Sequence, residues 1–246
     1  MTLIKPEIKR KINQIQFTGD KLYAAFDLDN TLLYGDIGDA VFASLLNKGL
    51  IQGFNWKDYL ALLIEDRETA YRKVVEVLHG LPIEALKTTT HEVIDSNLSF
   101  IQIDQAKVPV PRPNPTMQSI INLIEARGIE LFVVTASNEV SAGIICQKHF
   151  NIPTTNVLGI QVGISKPGII AYEPTEIPFG IGKVNALKRK YSHRPVVTGG
   201  DGVWDKFLLD YTRDDGIRFW AGQDVNEYQL LKDDYYPNLA FYHIQS

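Results

Sequence analysis

Cysteine is almost absent from this chain: Cys146 is the only one in 246 residues. That excludes an internal disulfide and any zinc site built on several thiolates. Excess positive charge is missing too, since 25 Lys and Arg stand against 29 Asp and Glu for a net −4. Nucleic acids and anionic membranes are held by basic surface and counterion release, so neither is expected as a partner. No stretch of about 18 uncharged apolar residues exists to span a bilayer. The opening MTLIKPEIKRKINQIQF is basic but lacks the apolar stretch of a signal peptide, and the expected location is cytoplasmic. The sequon at Asn97 is then incidental. Repeats and low-complexity tracts are also lacking, and 18 Gly and 12 Pro are ordinary. What is present is a chain 45% hydrophobic and long enough to form a well-buried core without staples.

The apolar pattern divides this chain. Residues 21–27 (KLYAAFD) form a short apolar run ending in acid, which suits a buried strand. From Asp36 to about Phe100 the spacing turns helical: Val41, Leu45 and Leu46, then Tyr71, Val74, Val75 and Leu78, with a break at Gly80–Pro82. Residues 107–115 (KVPVPRPNP) carry four prolines in nine positions and cannot be an ordinary helix or central strand. They read as the return linker of an insertion. Beyond them helices (116–127, 138–150, 182–191, one from about 203, and a terminal one) alternate with strands (130–135, 156–160, 195–199, 217–220). Such alternation predicts an α/β fold, a Rossmann-like doubly wound parallel sheet. The expected division is a core of residues 1–33 and 110–246 with an inserted helical cap at 34–109.

Ligands of such sheets bind beyond the carboxyl ends of the strands. Three strands there deliver chemistry: Asp27-Leu28-Asp29-Asn30-Thr31 after the first, Thr135-Ala136-Ser137 after ELFVV, and Gly199-Gly200-Asp201-Gly202-Val203-Trp204-Asp205 after RPVVT. Carboxylates crowded on one edge repel unless a cation or protonation relieves them. Oxygen donors of this kind suit Mg²⁺. A calcium loop starting at Asp27 is excluded, because it needs Gly at position six and Glu at twelve, where Leu32 and Gly38 stand. Lys183 begins the helix before RPVVT and offers a fixed positive charge; Lys166, Lys188 and Lys190 are its rivals. Singly, each feature has an ordinary structural reading: a turn, a helix cap, a solvated lysine. Their joint order after apolar strands points to a site.

FDLDNTLL, FVVTAS, Lys183 and GGDGVWD together resemble the four motifs of the haloacid dehalogenase superfamily of phosphohydrolases, over residues 26–205. The helical segment between the first two resembles that family's cap, in an arrangement similar to phosphoserine and phosphorylcholine phosphatases. The resemblance implies Asp27 as nucleophile and Asp29 as general acid and base. It implies Thr135 and the Ala136 N–H as phosphate ligands, with Lys183 neutralising charge. Mg²⁺ would be held by Asp27, the Asp29 carbonyl and Asp201, with Asp205 in support. Asn30 and Thr31 are read as shaping the turn. The implied activity is hydrolysis of a small-molecule phosphomonoester through an aspartyl-phosphate. Dehalogenases lack the second aspartate, and its presence here favours phosphatase or phosphomutase; a sugar-phosphate phosphatase and a non-catalytic phosphoryl-binding protein are the remaining alternatives.

By the same resemblance, Asp36 falls where phosphoserine phosphatase binds its substrate's amino group. Asp36 and Asp39 are therefore expected either to hold an amine or quaternary ammonium or, for Asp36, to cap a helix. Tyr34, Phe42, Phe54, Trp56 and Tyr59 are candidates for cation–π faces or for cap core. Trp204 is a candidate pocket residue. Oligomeric state and physiological substrate are not legible in the sequence.

Overall fold

In this computed structural model the described residues are 4–17, 19, 21–165, 167–173 and 175–244. Six strands form the central sheet: β1 (Tyr23–Phe26), β2 (Glu130–Asn138), β3 (Val157–Ile160), β4 (Val197–Gly200), β5 (Ile217–Trp220) and β6 (Ala240–His243). Its order is β6-β5-β4-β1-β2-β3. The helices are α1 (Pro6–Gln14), α2 (Ile37–Asn47), α3 (Trp56–Glu65), α4 (Arg67–Glu76), α5 (Ile83–Asp95), α6 (Pro115–Glu125), α7 (Glu139–Phe150), α8 (Ile181–Lys188), α9 (Lys206–Asp210) and α10 (Val225–Leu230). The chain divides into two compact units: residues 1–33, 113–134 and 180–246 form the first, and residues 34–112 and 135–179 the second.

In unit one, β1 pairs in parallel with β4 and with the first residues of β2, β4 with β5, and β5 with β6. Every residue of β1, β4 and β5 is buried, as a sheet covered on both faces requires. The registers Phe26–Gly199 and Gly200–Trp220 bring the carboxyl ends of β1, β4 and β5 level, so the loops after them share one edge. Helix α6 starts at Asn114, whose Oδ1 accepts from the Thr116 and Met117 amides, with Pro115 next in the first turn.

Unit two holds α2 to α5 and α7. Asp36, Asn55, Asp66 and Asn138 each cap a helix by accepting from the backbone amide three residues on. Phe42, Phe54, Trp56 and Tyr59 pack ring against ring, with centroids 5.3–6.1 Å apart. Two antiparallel hairpins, Phe100–Ile103 with Ala106–Pro109 and Gly163–Ser165 with Ile169–Ala171, complete this unit.

Two sequence expectations are corrected and a third is extended. The last regular element is a strand: α10 spans six residues, and Ala240–His243 then pairs with β5. The β2 strand continues past 135 to Asn138, so the TAS segment belongs to it rather than to the following loop. The reading of the proline-rich linker is extended: its first residues, 107–109, lie in the hairpin strand Ala106–Pro109, which is not a central strand and tolerates the missing amide of Pro109 because the pair has open edges.

Candidate active site

The Asp27 amide donates to the Gly199 carbonyl at 3.0 Å, which fixes the turn out of β1 against the end of β4. The next residues leave regular structure: Asp29 is extended (φ −74°, ψ 131°) and Asn30 is left-handed (φ 56°). Asparagine tolerates that conformation better than most residues. Lys183, 156 positions beyond Asp27 in the chain, is 4% exposed on the first turn of α8. Its Nζ lies 2.5 Å from Asp27 Oδ1 and 2.5 Å from Asp205 Oδ1. The other Asp205 oxygen accepts from the Asp201 and Gly202 amides at 3.0 and 3.2 Å. Asp205 approaches so closely that a Cβ on Gly200 would lie 2.3 Å from its Cβ. The second glycine of GGDG is therefore a steric requirement.

Asp27, Asp201 and Asp205 each turn one oxygen into a cluster whose members lie within 4.8 Å of one another. The Thr31 hydroxyl stands 3.4 Å from Asp27 Oδ2 and 3.2 Å from Asp201 Oδ1, within donating reach of either. With all carboxylates ionised and Lys183 charged, the cluster carries two net negative charges. Burial pushes Asp27 up to about 7, with Asp205 and Asp29 adding to the rise and Lys183 opposing it. Burial, then Asp27 and Asp205, pushes Asp201 up to about 8. For Lys183, burial works against the ammonium, but Asp205 and Asp27 outweigh it and hold its affinity for the proton above the usual lysine range. The donor set is carboxylate oxygen, with no His or Cys in the group. Hard oxygen donors carrying surplus negative charge fit a divalent cation such as Mg²⁺.

Two of the rival lysines, Lys188 and Lys190, do not enter this cluster. Lys188 lies over the Tyr211 ring and Lys190 is exposed, while Lys166 is outside the described residues. Thr135, Ala136 and Asp36 belong to unit two. Thr135 is buried, and its Oγ1 accepts from the Ser137 amide at 3.0 Å. Asp36 Oδ1 accepts from the Asp39 amide at 2.9 Å, capping α2, and Asp39 Oδ1 accepts from the Tyr59 hydroxyl at 2.5 Å. Asp36, Gly38, Asp39, Tyr59, Tyr71 and Ser137 line a cavity of about 10 Å³. Burial, reinforced by the Asp36 and Asp39 carboxylates, raises both tyrosine hydroxyls above their ordinary range, so both stay protonated as donors. Of the five aromatics considered for a cation–π face, only Tyr59 lines this cavity. Phe42 and Trp56 are buried in the ring cluster, because large apolar faces gain most by packing on one another.

Sequence reasoning missed two contributors. Thr31 was read as a turn former, yet its hydroxyl reaches two carboxylates; the regular spacing of DLDNT carried that signal. Tyr71 sat in a helical apolar pattern, and nothing local marked it as a cavity residue.

The family model for haloacid dehalogenase-like hydrolases matches residues 24–209. The chain belongs to that family. The matched span takes in both aspartates of the first motif, Lys183, Asp201 and Asp205. No curated protein sequence gives a match. Among solved structures, a conserved protein of unknown function from Anaerococcus prevotii superposes with a TM-score of 0.69 at 15% identity, covering 100% of this chain and 98% of that one. A HAD family hydrolase from Salmonella enterica serovar Typhi gives 0.57 at 14% identity, covering 92% and 75%. A substrate-bound phosphoserine phosphatase gives 0.52 at 18% identity, covering 85% and 90%. At these identities the likeness is one of fold. Among the described residues no helix is long and apolar enough to cross a membrane.

Proposed function

We propose that the protein is a Mg²⁺-dependent phosphomonoesterase working through an aspartyl-phosphate. The observation that carries this reading is the buried Lys183 ammonium held between Asp27 and Asp205, with Asp201 in the same oxygen cluster. Lys183 neutralises the nucleophile's charge and directs Asp27 Oδ1, leaving the other oxygen beside the Thr31 hydroxyl. An Asp27 oxygen attacks phosphorus, the bond to the leaving alcohol breaks, and Asp29 gives that alcohol its proton. Asp29, now a carboxylate, takes a proton from water; the hydroxide attacks phosphorus, and the Asp27–phosphorus bond breaks to release phosphate. Asp27, the Asp29 carbonyl and Asp201 would hold the cation, with Asp205 supporting through its hydrogen bonds to the Asp201 loop. Bound there, Mg²⁺ supplies charge stabilisation for the transferring phosphoryl group, the main need in a reaction that is mostly positioning and electrostatics. Thr135 and the Ala136 N–H are assigned to the phosphate, and residues 34–109 to a cap.

For the substrate we take a small phosphate ester bearing a primary amine. Asp36 and Asp39 give the cavity of unit two negative charge, while Tyr59 and Tyr71 bring neutral hydroxyls. Its volume, about 10 Å³, is room for one water-sized group. An ammonium has that size and a trimethylammonium does not, which favours an amine phosphate over a choline phosphate. A cytoplasmic location remains part of this reading.

The direct test is mass spectrometry of the protein quenched in acid during turnover of p-nitrophenyl phosphate with Mg²⁺. A phosphoryl adduct on Asp27 is the expected result; turnover with no adduct, or with one elsewhere, overturns the mechanism. A panel of phosphoserine, phosphoethanolamine, phosphocholine, sugar phosphates and nucleotides then decides the substrate, with phosphocholine expected to rank below the primary amines.

A further inference from the structure

Among the described residues β6 is the outer strand of the sheet and pairs with β5 alone. The Ile244 amide donates to the Trp220 carbonyl at 2.8 Å. In a parallel ladder, alternate residues turn their backbone groups to the same side. Ala240 and Tyr242 therefore face β5, while Phe241 and His243 face outward. The Phe241 carbonyl is consistent with this, since it accepts from the Tyr228 hydroxyl of α10 at 3.2 Å. Along this outer edge, between the start of α1 and α10, runs a cleft of about 420 Å³.

The charge of this cleft runs against the rest of the molecule. The chain carries net −4, yet Lys5 and Lys232 line the cleft and neither makes an ion pair among the described residues. The carboxylate in its lining, Glu7, accepts from the Tyr242 hydroxyl at 3.2 Å. Tyr228 stacks on His243, with centroids 4.8 Å apart and planes at 22°, giving an aromatic wall.

We infer that this cleft binds an extended acidic segment of a partner protein, which adds a strand to the sheet at β6. The outward amides of Phe241 and His243 offer ladder bonds at a strand's spacing. Lys5 on the α1 side, where Glu7 meets Tyr242, and Lys232 on the α10 side, where Tyr228 meets His243, attract acidic side chains on the two faces of the added strand. Strand addition uses these two elements together: backbone bonds for affinity and side-chain contacts for selectivity. A second copy of this chain fits less well. A two-fold contact at this edge presents the same patch to itself, so two cleft linings that each carry Lys5 and Lys232 would be brought together.

The test uses the full chain and two fluorescein-labelled hexapeptides, Val-Glu-Glu-Val-Glu-Glu and Val-Lys-Lys-Val-Lys-Lys, which carry charge on both faces of a strand. Fluorescence anisotropy is expected to show the acidic peptide binding at least about tenfold tighter, with affinity falling as salt rises. The double variant Lys5→Glu/Lys232→Glu, checked as folded by unchanged hydrolysis of p-nitrophenyl phosphate, should lose about tenfold or more of that affinity. Hydrogen exchange at the Phe241 and His243 amides should slow when the acidic peptide is bound. Equal affinity for both peptides overturns the inference, as does full binding by the double variant, or binding that leaves those amides exchanging as before. Amides already protected in the free protein, together with a concentration-dependent dimer in sedimentation, would assign the edge to a second copy and overturn it as well.

Discussion

The two units each gather carboxylates, and they balance them in opposite ways. In unit one, Asp27, Asp201 and Asp205 meet a buried ammonium, and their surplus negative charge fits a divalent cation. In unit two, Asp36 and Asp39 meet neutral donors: a backbone amide and the Tyr59 hydroxyl, with Tyr71 beside them. Charged counter-groups hold a nucleophile ready and give up nothing to a substrate's cation. Neutral donors order a carboxylate while leaving its charge available. On the proposed function the difference separates a place for chemistry from a place for recognition, and substitutions in the two clusters should affect different quantities.

The sharpest contrast comes from Asp27→Asn, which removes the proposed nucleophile. It should depress kcat by about 10³-fold or more for every substrate and abolish the phosphoryl adduct. A variant that keeps a tenth of wild-type kcat would reverse the assignment of unit one. Asp29→Asn comes next. Loss of a positioned acid–base group costs about 10²–10⁴-fold. With p-nitrophenyl phosphate, whose leaving group needs no proton, the adduct should still form and then decay slowly; failure to label at all would remove Asp29 from the proton-transfer role.

A smaller and selective effect is expected from Asp36→Ala. Substrates bearing an ammonium should lose about tenfold to a hundredfold in kcat/KM, the worth of one charge-assisted contact, while p-nitrophenyl phosphate barely changes. An equal fall for both would make Asp36 a helix cap only and erase the contrast between the units. Smallest is Tyr59→Phe, which deletes the donor to Asp39. A net hydrogen bond is worth about 0.5–1.5 kcal/mol, so thermal unfolding should register a modest loss. kcat on p-nitrophenyl phosphate should hold steady, and a large fall there would tie Tyr59 to the chemistry instead.

Much of unit one was legible in the sequence because its chemistry follows apolar strands directly. DLDNT and GGDGVWD each stand where a run of buried residues ends, and parallel pairing carries such ends to one edge. Lys183 was harder to single out from nearby lysines; its burial against Asp27 and Asp205, a tertiary property, distinguishes it. β6 was missed because its four residues follow a short helix and gain their structure from β5, 23 positions earlier in register. Tyr71 and the ring cluster of Phe42, Phe54, Trp56 and Tyr59 depend on contacts between helices that periodicity does not specify. The charge pattern of Asp36 and Asp39 was visible, but whether it capped a helix or lined a cavity was not, and the structure gives it both positions.

The ion pair between Lys183 and Asp27 joins residues 156 positions apart in the chain. During synthesis Asp27, the proposed nucleophile, therefore emerges long before its counter-charge, and all of α2 to α7 is made in between. Contacts of such separation are among the slower to form. A nascent or truncated chain ending before α8 carries Asp27 without the ammonium that orients it, and without either aspartate of the GGDGVWD segment. On the proposed mechanism, competence for the reaction arrives with roughly the last quarter of the polypeptide, so fragments released early by proteolysis or stalled translation would not act on phosphate esters.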